Sequence, residues 1–244
     1  MYLTTRRRSM LNKKIRFGGV EIPAFIAAVP KRVQPTRKGT VIPIAGTNRE
    51  VVEMEDAWEC YDQPYTMVVG NGSEDCVNSG IDAVAAVLSK KGWQTLADDY
   101  DTTHFRLAYF KDSWEVENRY TRLGKFDIIF RCRPERFLNS GSEAVAVLSG
   151  GTITNPTAYK AKPLIHITGV NSGTLTVNGT TMSFTGIVDY LNIDCDTMNV
   201  YRLPSENRNN LMTGNFPVLD SGSNSVSFTG GIASVSITPR WYVI

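Results

Sequence analysis

Phe130–Ile167 reads FRCRPERFLNSGSEAVAVLSGGTITNPTAYKAKPLIHI. This stretch divides the chain. It finishes one strand, crosses a loop rich in breakers (Gly150-Gly151, Asn155-Pro156) and starts another strand at Pro163. Before it the sequence is charged and mixed in pattern. After it, short alternating segments are cut by Gly, Asn and Ser and carry few charges. A chain of 244 residues has room for two domains, and the expected division is residues 1–150 and 151–244.

Beyond the joint the period-2 signal is clean. Asn178-Gly179 separates Leu175-Thr176-Val177 from Thr180-Thr181-Met182. Asn-Gly supplies the positive φ that a two-residue hairpin needs. Val177 is therefore predicted opposite Thr180, Leu175 opposite Met182 and Gly173 opposite Phe184. That register gathers Leu175, Val177, Met182 and Phe184 on one face. Leu191, Ile193 and Cys195 alternate with Asn192 and Asp194. Val226 and Phe228 alternate with serines after the turn Ser221-Gly222-Ser223-Asn224, and Val235 and Ile237 follow Gly230-Gly231. Several short strands with little charge predict a β-sandwich. The apolar end Trp241-Tyr242-Val243-Ile244 is expected to dock on it.

Working back from the joint, Phe126, Ile128, Phe130 and Cys132 share one face of a strand. Phe105–Phe110, Trp114–Arg119 and Tyr65–Val69 are further strand candidates. Residues 24–34 hold a strand-like run, Thr40–Ile44 is short and β-branched, and Glu50–Glu59 alternates poorly. Lys14–Ile22 predicts a hairpin turning at Gly18-Gly19. One helix is expected, capped at Asn78 or Ser79, ended by Gly92, with Ile81, Val84, Ala85 and Leu88 as its apolar stripe. The fold class is thus mainly β: an α+β first domain, an antiparallel sheet or split β-barrel with one helix, followed by the sandwich.

Charge is unevenly placed. Residues 1–40 carry ten Lys or Arg against one acid, Glu21, and an acidic stretch follows from Glu50 to Asp62. Complementary patches of this kind suit a subunit contact. The basic side is Arg6, Arg7, Arg8, Lys13, Lys14 and Arg16, and the acidic side is Glu53, Glu55 and Asp56. No aromatic residues interleave Arg6–Arg8, so a specific nucleic-acid contact is not expected. No apolar run is long enough for membrane insertion, and no secretion signal is visible. Cys60, Cys76, Cys132 and Cys195 form no CxxC pair, and the histidines are only His104 and His166. The expectation is free, mostly buried thiols in strand or loop positions and no metal. No nucleophile, phosphate-loop or metalloprotease motif is present, so neither catalysis nor a cofactor is expected. Asp98-Asp99-Asp101 and Asp194-Asp196 are the acid groupings that glycoside cleavage would use; the plainer reading is solvated turns and a polar sheet face. His166 reads as an ordinary strand histidine.

Three segments resemble one family. They are FDIIFRCRPERFL at Phe126–Leu138, Asn155-Pro156-Thr157 with Lys162-Pro163-Leu164-Ile165, and GNFPVLDSGSNSVSFTGGIASVSITPRW at Gly214–Trp241. Together, in this order, they resemble the distal tail protein of long-tailed bacteriophages with non-contractile tails. The resemblance implies a structural protein of the virion tail tip, made in the host bacterial cytoplasm. In that family the N-terminal domains of six subunits form a ring around the tail channel. The homohexamer joins the tail tube protein to the tail hub (tail-associated) protein, with the tape-measure protein nearby, and a galectin-like sandwich points outward. The alternative is a carbohydrate-binding sandwich that contacts host-surface glycans through Tyr190, Tyr201 and Trp241; the plainer reading packs these aromatics in a core or interface.

Overall fold

The computed structural model describes residues 13–70, 74–118 and 123–244. The chain divides into two units, Met1–Arg136 with Ile244, and Phe137–Val243. The first holds β1 (Ile15–Phe17), β2 (Val20–Glu21), β3 (Phe25–Ile26), β4 (Arg37–Pro43), β5 (Glu50–Trp58), β6 (Tyr61–Val69), α1 (Glu74–Leu88), β7 (Gln94–Asp98), β8 (His104–Tyr109) and β9 (Val116–Asn118). It also holds β10 (Gly124–Leu138), whose last two residues pass into the second unit. The main sheet runs β2-β1-β7-β8-β10-β6-β3, with β9 beside β10, while β4 and β5 pair only with each other. The Gly18-Gly19 hairpin closes as expected, with Phe17 facing Val20 and Arg16 facing Glu21.

β10 is the spine of the first core. Phe126, Ile128, Phe130 and Cys132 are all buried, as their alternation requires. The Phe130 ring lies 5.1 Å from Phe17, 5.9 Å from Phe110 and 6.1 Å from Tyr65 between centroids. Burying one such ring stabilises by about 1.5–3 kcal/mol. The helix adds Val77, Val84 and Leu88 to this core, with Ile81 and Val87 at its margin. Two expectations need correction. The helix starts at Glu74, so Asn78 and Ser79 are interior, and the Ser79 hydroxyl donates back to the Cys76 carbonyl at 3.4 Å. Ala85 faces out of the stripe and is exposed. The poorly alternating Glu50–Glu59 contains a nine-residue strand, β5.

The second unit holds β11 (Val145–Val147), β12 (Gly151–Asn155), β13 (Leu164–Val177), β14 (Thr180–Asp194), β15 (Asn199–Tyr201), β16 (Met212–Gly214), β17 (Gly222–Thr238) and β18 (Tyr242–Val243). The hairpin register is the predicted one: Val177 pairs Thr180, Leu175 pairs Met182 and Gly173 pairs Phe184. Asn178 and Gly179 have φ of 49° and 80°, the left-handed pair that a tight hairpin requires. The strands, however, are not all short. β13, β14 and β17 each run through both layers of the sandwich. β17 pairs with β11 near one end and with β12 near the other, β14 does the same with β15 and β16, and β13 lies between β14 and β17 along its length.

The bend between layers is made by glycine. A Cβ on Gly231 would lie 1.7 Å from the Val170 carbonyl oxygen, and one on Gly169 would lie 2.2 Å from that of Gly231. The backbones approach too closely there for any side chain. Pairing shifts register at this bend, between Gly169 and Gly173. Ile165, Ile167, Leu191, Ile193, Val235 and Ile237 from one layer then share a single core with Leu175, Val177, Met182, Phe184 and Val226 from the other. The chain end docks as expected. Trp241 is buried, Leu138 N–H donates to its carbonyl at 2.8 Å, and Arg240 N–H donates to Gly141 O at 2.8 Å.

Candidate functional site

Arg6, Arg7 and Arg8 lie outside the described residues. Lys13, Lys14 and Arg16 lie on and just before β1, and their charges are engaged within the unit. Lys13 Nζ donates to the Asp99 carbonyl at 3.1 Å, Lys14 Nζ pairs with Glu21, and an Arg16 terminal nitrogen sits 3.1 Å from Asp99 Oδ1. Glu53, Glu55 and Asp56 stand on β5. Asp56 pairs with Arg37 at 2.8 Å. No contact between this basic set and this acidic set is seen among the described residues.

The hairpin that carries the acids has a second feature. Nearly every residue of β4 and β5 is exposed on both faces. Val41 pairs with Val52, Gly39 with Met54 and Pro43 with Glu50, so these six share one face. Thr40 pairs with Glu53 and Ile42 with Val51 on the other, where Glu55 follows by alternation. One face is thus an apolar stripe of Val41, Val52 and Met54, with Val52 57% exposed. The other carries Ile42 and Val51, 53% and 51% exposed, beside Glu53 and Glu55. A two-stranded ribbon with uncovered valines cannot stabilise itself in water; an exposed apolar stripe of this kind marks a contact surface. Local polarity concealed it from pattern reading, because Glu50, Glu53, Glu55 and Asp56 interrupt the apolar positions on both faces.

The acid groupings serve structure. Asp98 is only 5% exposed. It accepts from the Tyr65 hydroxyl at 2.8 Å, from Tyr100 N–H at 2.9 Å and from Asp101 N–H at 3.0 Å, and Arg106 approaches at 3.5 Å. Arg106 Nε donates to the Tyr61 hydroxyl at 3.0 Å. Burial, reinforced by the Asp98 charge, pushes the Tyr65 phenol well above its ordinary value. In the second unit Asp194 binds Arg240 through both oxygens, at 2.7 and 3.2 Å. Burial raises the Asp194 pKa, but the hydrogen bonds and charge of Arg240 outweigh it and hold the carboxyl below its usual range.

Cys132 and Cys195 are buried, and desolvation pushes each thiol up to about 12. Cys60 is half-buried. Cys76 lies on the helix, not in a strand or loop, and is exposed. Among the described residues no group of His, Cys, Asp or Glu is placed to hold a metal ion, and no helix is long and apolar enough to cross a membrane. His166 Nδ1 meets Asn192 Oδ1 at 2.9 Å and its ring lies 5.3 Å from Tyr190, over which Arg202 sits at 5.4 Å. Of the aromatics suited to sugar stacking, Trp241 is in the core, and Tyr190 and Tyr201 are half-buried.

No protein-family model and no curated protein matches the sequence. The fold does find counterparts. The Dit protein of phage SPP1, described as a hub of the adsorption apparatus in phages that infect Gram-positive bacteria, superposes with a TM-score of 0.73 at 10% identity, over 95% of this chain and 99% of that one. The fold is that of the phage Dit protein. Two structures of the phage P2 baseplate in its activated conformation, with Ca and with Sr, match at TM-scores of 0.57 and 0.56, each at 8% identity over 92% of this chain and 97% of theirs. Within the Dit fold, two of the three segments that carry the sequence resemblance hold buried polar anchors. Asn155 holds Tyr159 O and Leu219 O through its amide nitrogen and accepts from Thr157. Asn224, fully buried, donates to the carbonyls of Ile153, Asp220 and Gly222. Each gathers nearby backbone carbonyls around a buried amide.

Proposed function

We propose that this chain is a structural subunit of a phage tail tip, without catalytic activity, that assembles into a homohexameric ring. The observation that carries the reading is the match of both units, over 95% of this chain and 99% of the Dit hub protein. In this reading the first unit forms the ring and the second, the sandwich, points outward. The ring joins the tail tube protein to the tail hub protein, close to the tape-measure protein. The exposed β4–β5 hairpin supports it: its apolar stripe and its Glu53–Glu55 face suit a neighbouring copy that supplies an apolar strip and cations. A ring uses two different patches of each subunit, so the hairpin meets a surface other than itself.

Native mass spectrometry and light scattering of the full chain test this. The expected species is a hexamer, and Val41→Lys with Val52→Lys, which charges the stripe without touching either core, shifts it to monomer. A wild-type chain that stays monomeric at tens of micromolar, alone and with tail tube and hub proteins added, sinks the ring.

A further inference from the structure

A pocket of about 390 Å³ opens in the first unit, lined by Pro30, Lys31, Arg32, Gln63 and Arg136 together with the turn that follows β7. Its wall carries four cations, Lys31, Arg32, Arg106 and Arg136, against two carboxylates, Asp98 and Asp101. Both carboxylates are engaged. Asp98 is surrounded by Tyr65, Tyr100, Asp101 N–H and Arg106. Asp101 meets His104 Nδ1 at 2.9 Å and Arg136 at 3.5 Å. Arg32 is exposed and has no carboxylate partner among the described residues. Burial and the nearby Arg32 charge together lower the pKa of Arg136, the mark of two cations facing one space.

Two buried polar atoms on this wall have no partner, Gln63 Oε1 and Arg136 Nε. Gln63 is 1% exposed, and its amide nitrogen is already committed to the carbonyls of Lys31 at 2.8 Å and Pro64 at 3.2 Å. Buried polar atoms of this kind are nearly always paired in a finished structure. The lining therefore places Arg32 and Arg136 around one opening of small-molecule size, with a buried donor and a buried acceptor on lining residues behind its surface.

We propose that this pocket binds an oxyanion, a carboxylate or phosphate group, between Arg32 and Arg136, with an O–H or N–H of the same ligand donated to Gln63 Oε1. Hydrogen phosphate has both features in one ion and is the simplest probe. The proposal does not depend on the ring.

The full chain is titrated with inorganic phosphate at constant ionic strength, following the melting temperature and the heat of binding. At ten times Kd the apparent folding constant rises about elevenfold, a melting shift of roughly 3–6 °C. The shift must saturate, because phosphate also stabilises proteins non-specifically by exclusion from their surface. Arg32→Gln, at an exposed position, is expected to weaken binding at least tenfold. Lys160→Gln, in the other unit, leaves binding unchanged. A rise that never saturates, or that is equal in wild type and Arg32→Gln, overturns the proposal. The source of the anion is read from mass. If phosphate or Arg32→Gln releases subunits from an oligomer, the oxyanion is a carboxylate of a second copy; if phosphate binds with the mass unchanged, it is a free ligand. Either result requires the same oxyanion site.

Discussion

Replacing Asp98 by Ala should unfold the first unit at far lower denaturant than the wild type. The carboxylate takes hydrogen bonds from the Tyr65 hydroxyl and two backbone N–H groups and sits 3.5 Å from Arg106. Arg106 is itself only 6% exposed. Without Asp98, its guanidinium is left buried, with the neutral Tyr61 hydroxyl accepting from Nε. Breaking a buried ion pair from one side costs about 3–5 kcal/mol, a large share of the roughly 5–15 kcal/mol that holds a domain together. Urea unfolding followed by tryptophan fluorescence reads mainly this unit, since Trp58, Trp93 and Trp114 lie in it and Trp241 in the other. With a slope of about 1–3 kcal/mol per molar urea, the midpoint should fall by on the order of 2 M. The double change Asp98→Leu with Arg106→Met removes both charges and should recover most of the loss. A loss under about 1 kcal/mol for Asp98→Ala, or a double variant no better than the single one, would refute the claim that an uncompensated buried cation is what costs stability.

Three further outcomes follow from the same structure. The Asp194 carboxyl is held below its ordinary range in the fold, so its contribution is present above about pH 4 and is lost as pH falls through the folded value. The stability gap between wild type and Arg240→Gln should therefore be widest near neutrality and narrow in acid, read as urea midpoints at pH 7 and 3. In native protein a disulfide reagent should modify Cys76 fast and Cys60 slowly, and should spare Cys132 and Cys195, whose buried thiols are pushed up to about 12; rapid reaction of all four would contradict the burial. Gly231→Ala should cost about 3 kcal/mol or more, because its Cβ would lie 1.7 Å from Val170 O. Gly179→Ala has nothing within 4 Å and carries only the strain of its φ of 80°, about 1–2 kcal/mol; equal losses would show that the bend is not tight.

Local pattern determined a good deal. The alternation of Phe126, Ile128, Phe130 and Cys132 needs only a strand with one buried face, and the Asn178-Gly179 register needs only the turn's own geometry. Both can be read within ten residues, because period and φ preference are properties of the chain itself. β7 escaped because a buried Asp98 occupies the position where an apolar residue would complete the pattern after Leu96. The first half of β6 escaped because Pro64 reads as a strand breaker; it is tolerated where it pairs Ile129 on β10. Tertiary structure alone decided three things. It made Gly230-Gly231 a bend inside one long strand instead of a turn between two, through the Val170 backbone that packs against it. It paired Lys13, Lys14 and Arg16 with Asp99 and Glu21, and left the β4–β5 valines uncovered. It also gathered Arg32, Gln63 and Arg136, widely spaced along the chain, around one pocket. The partners in each case are remote in sequence, and the energy that selects them comes from contacts that exist only once the sheets have closed.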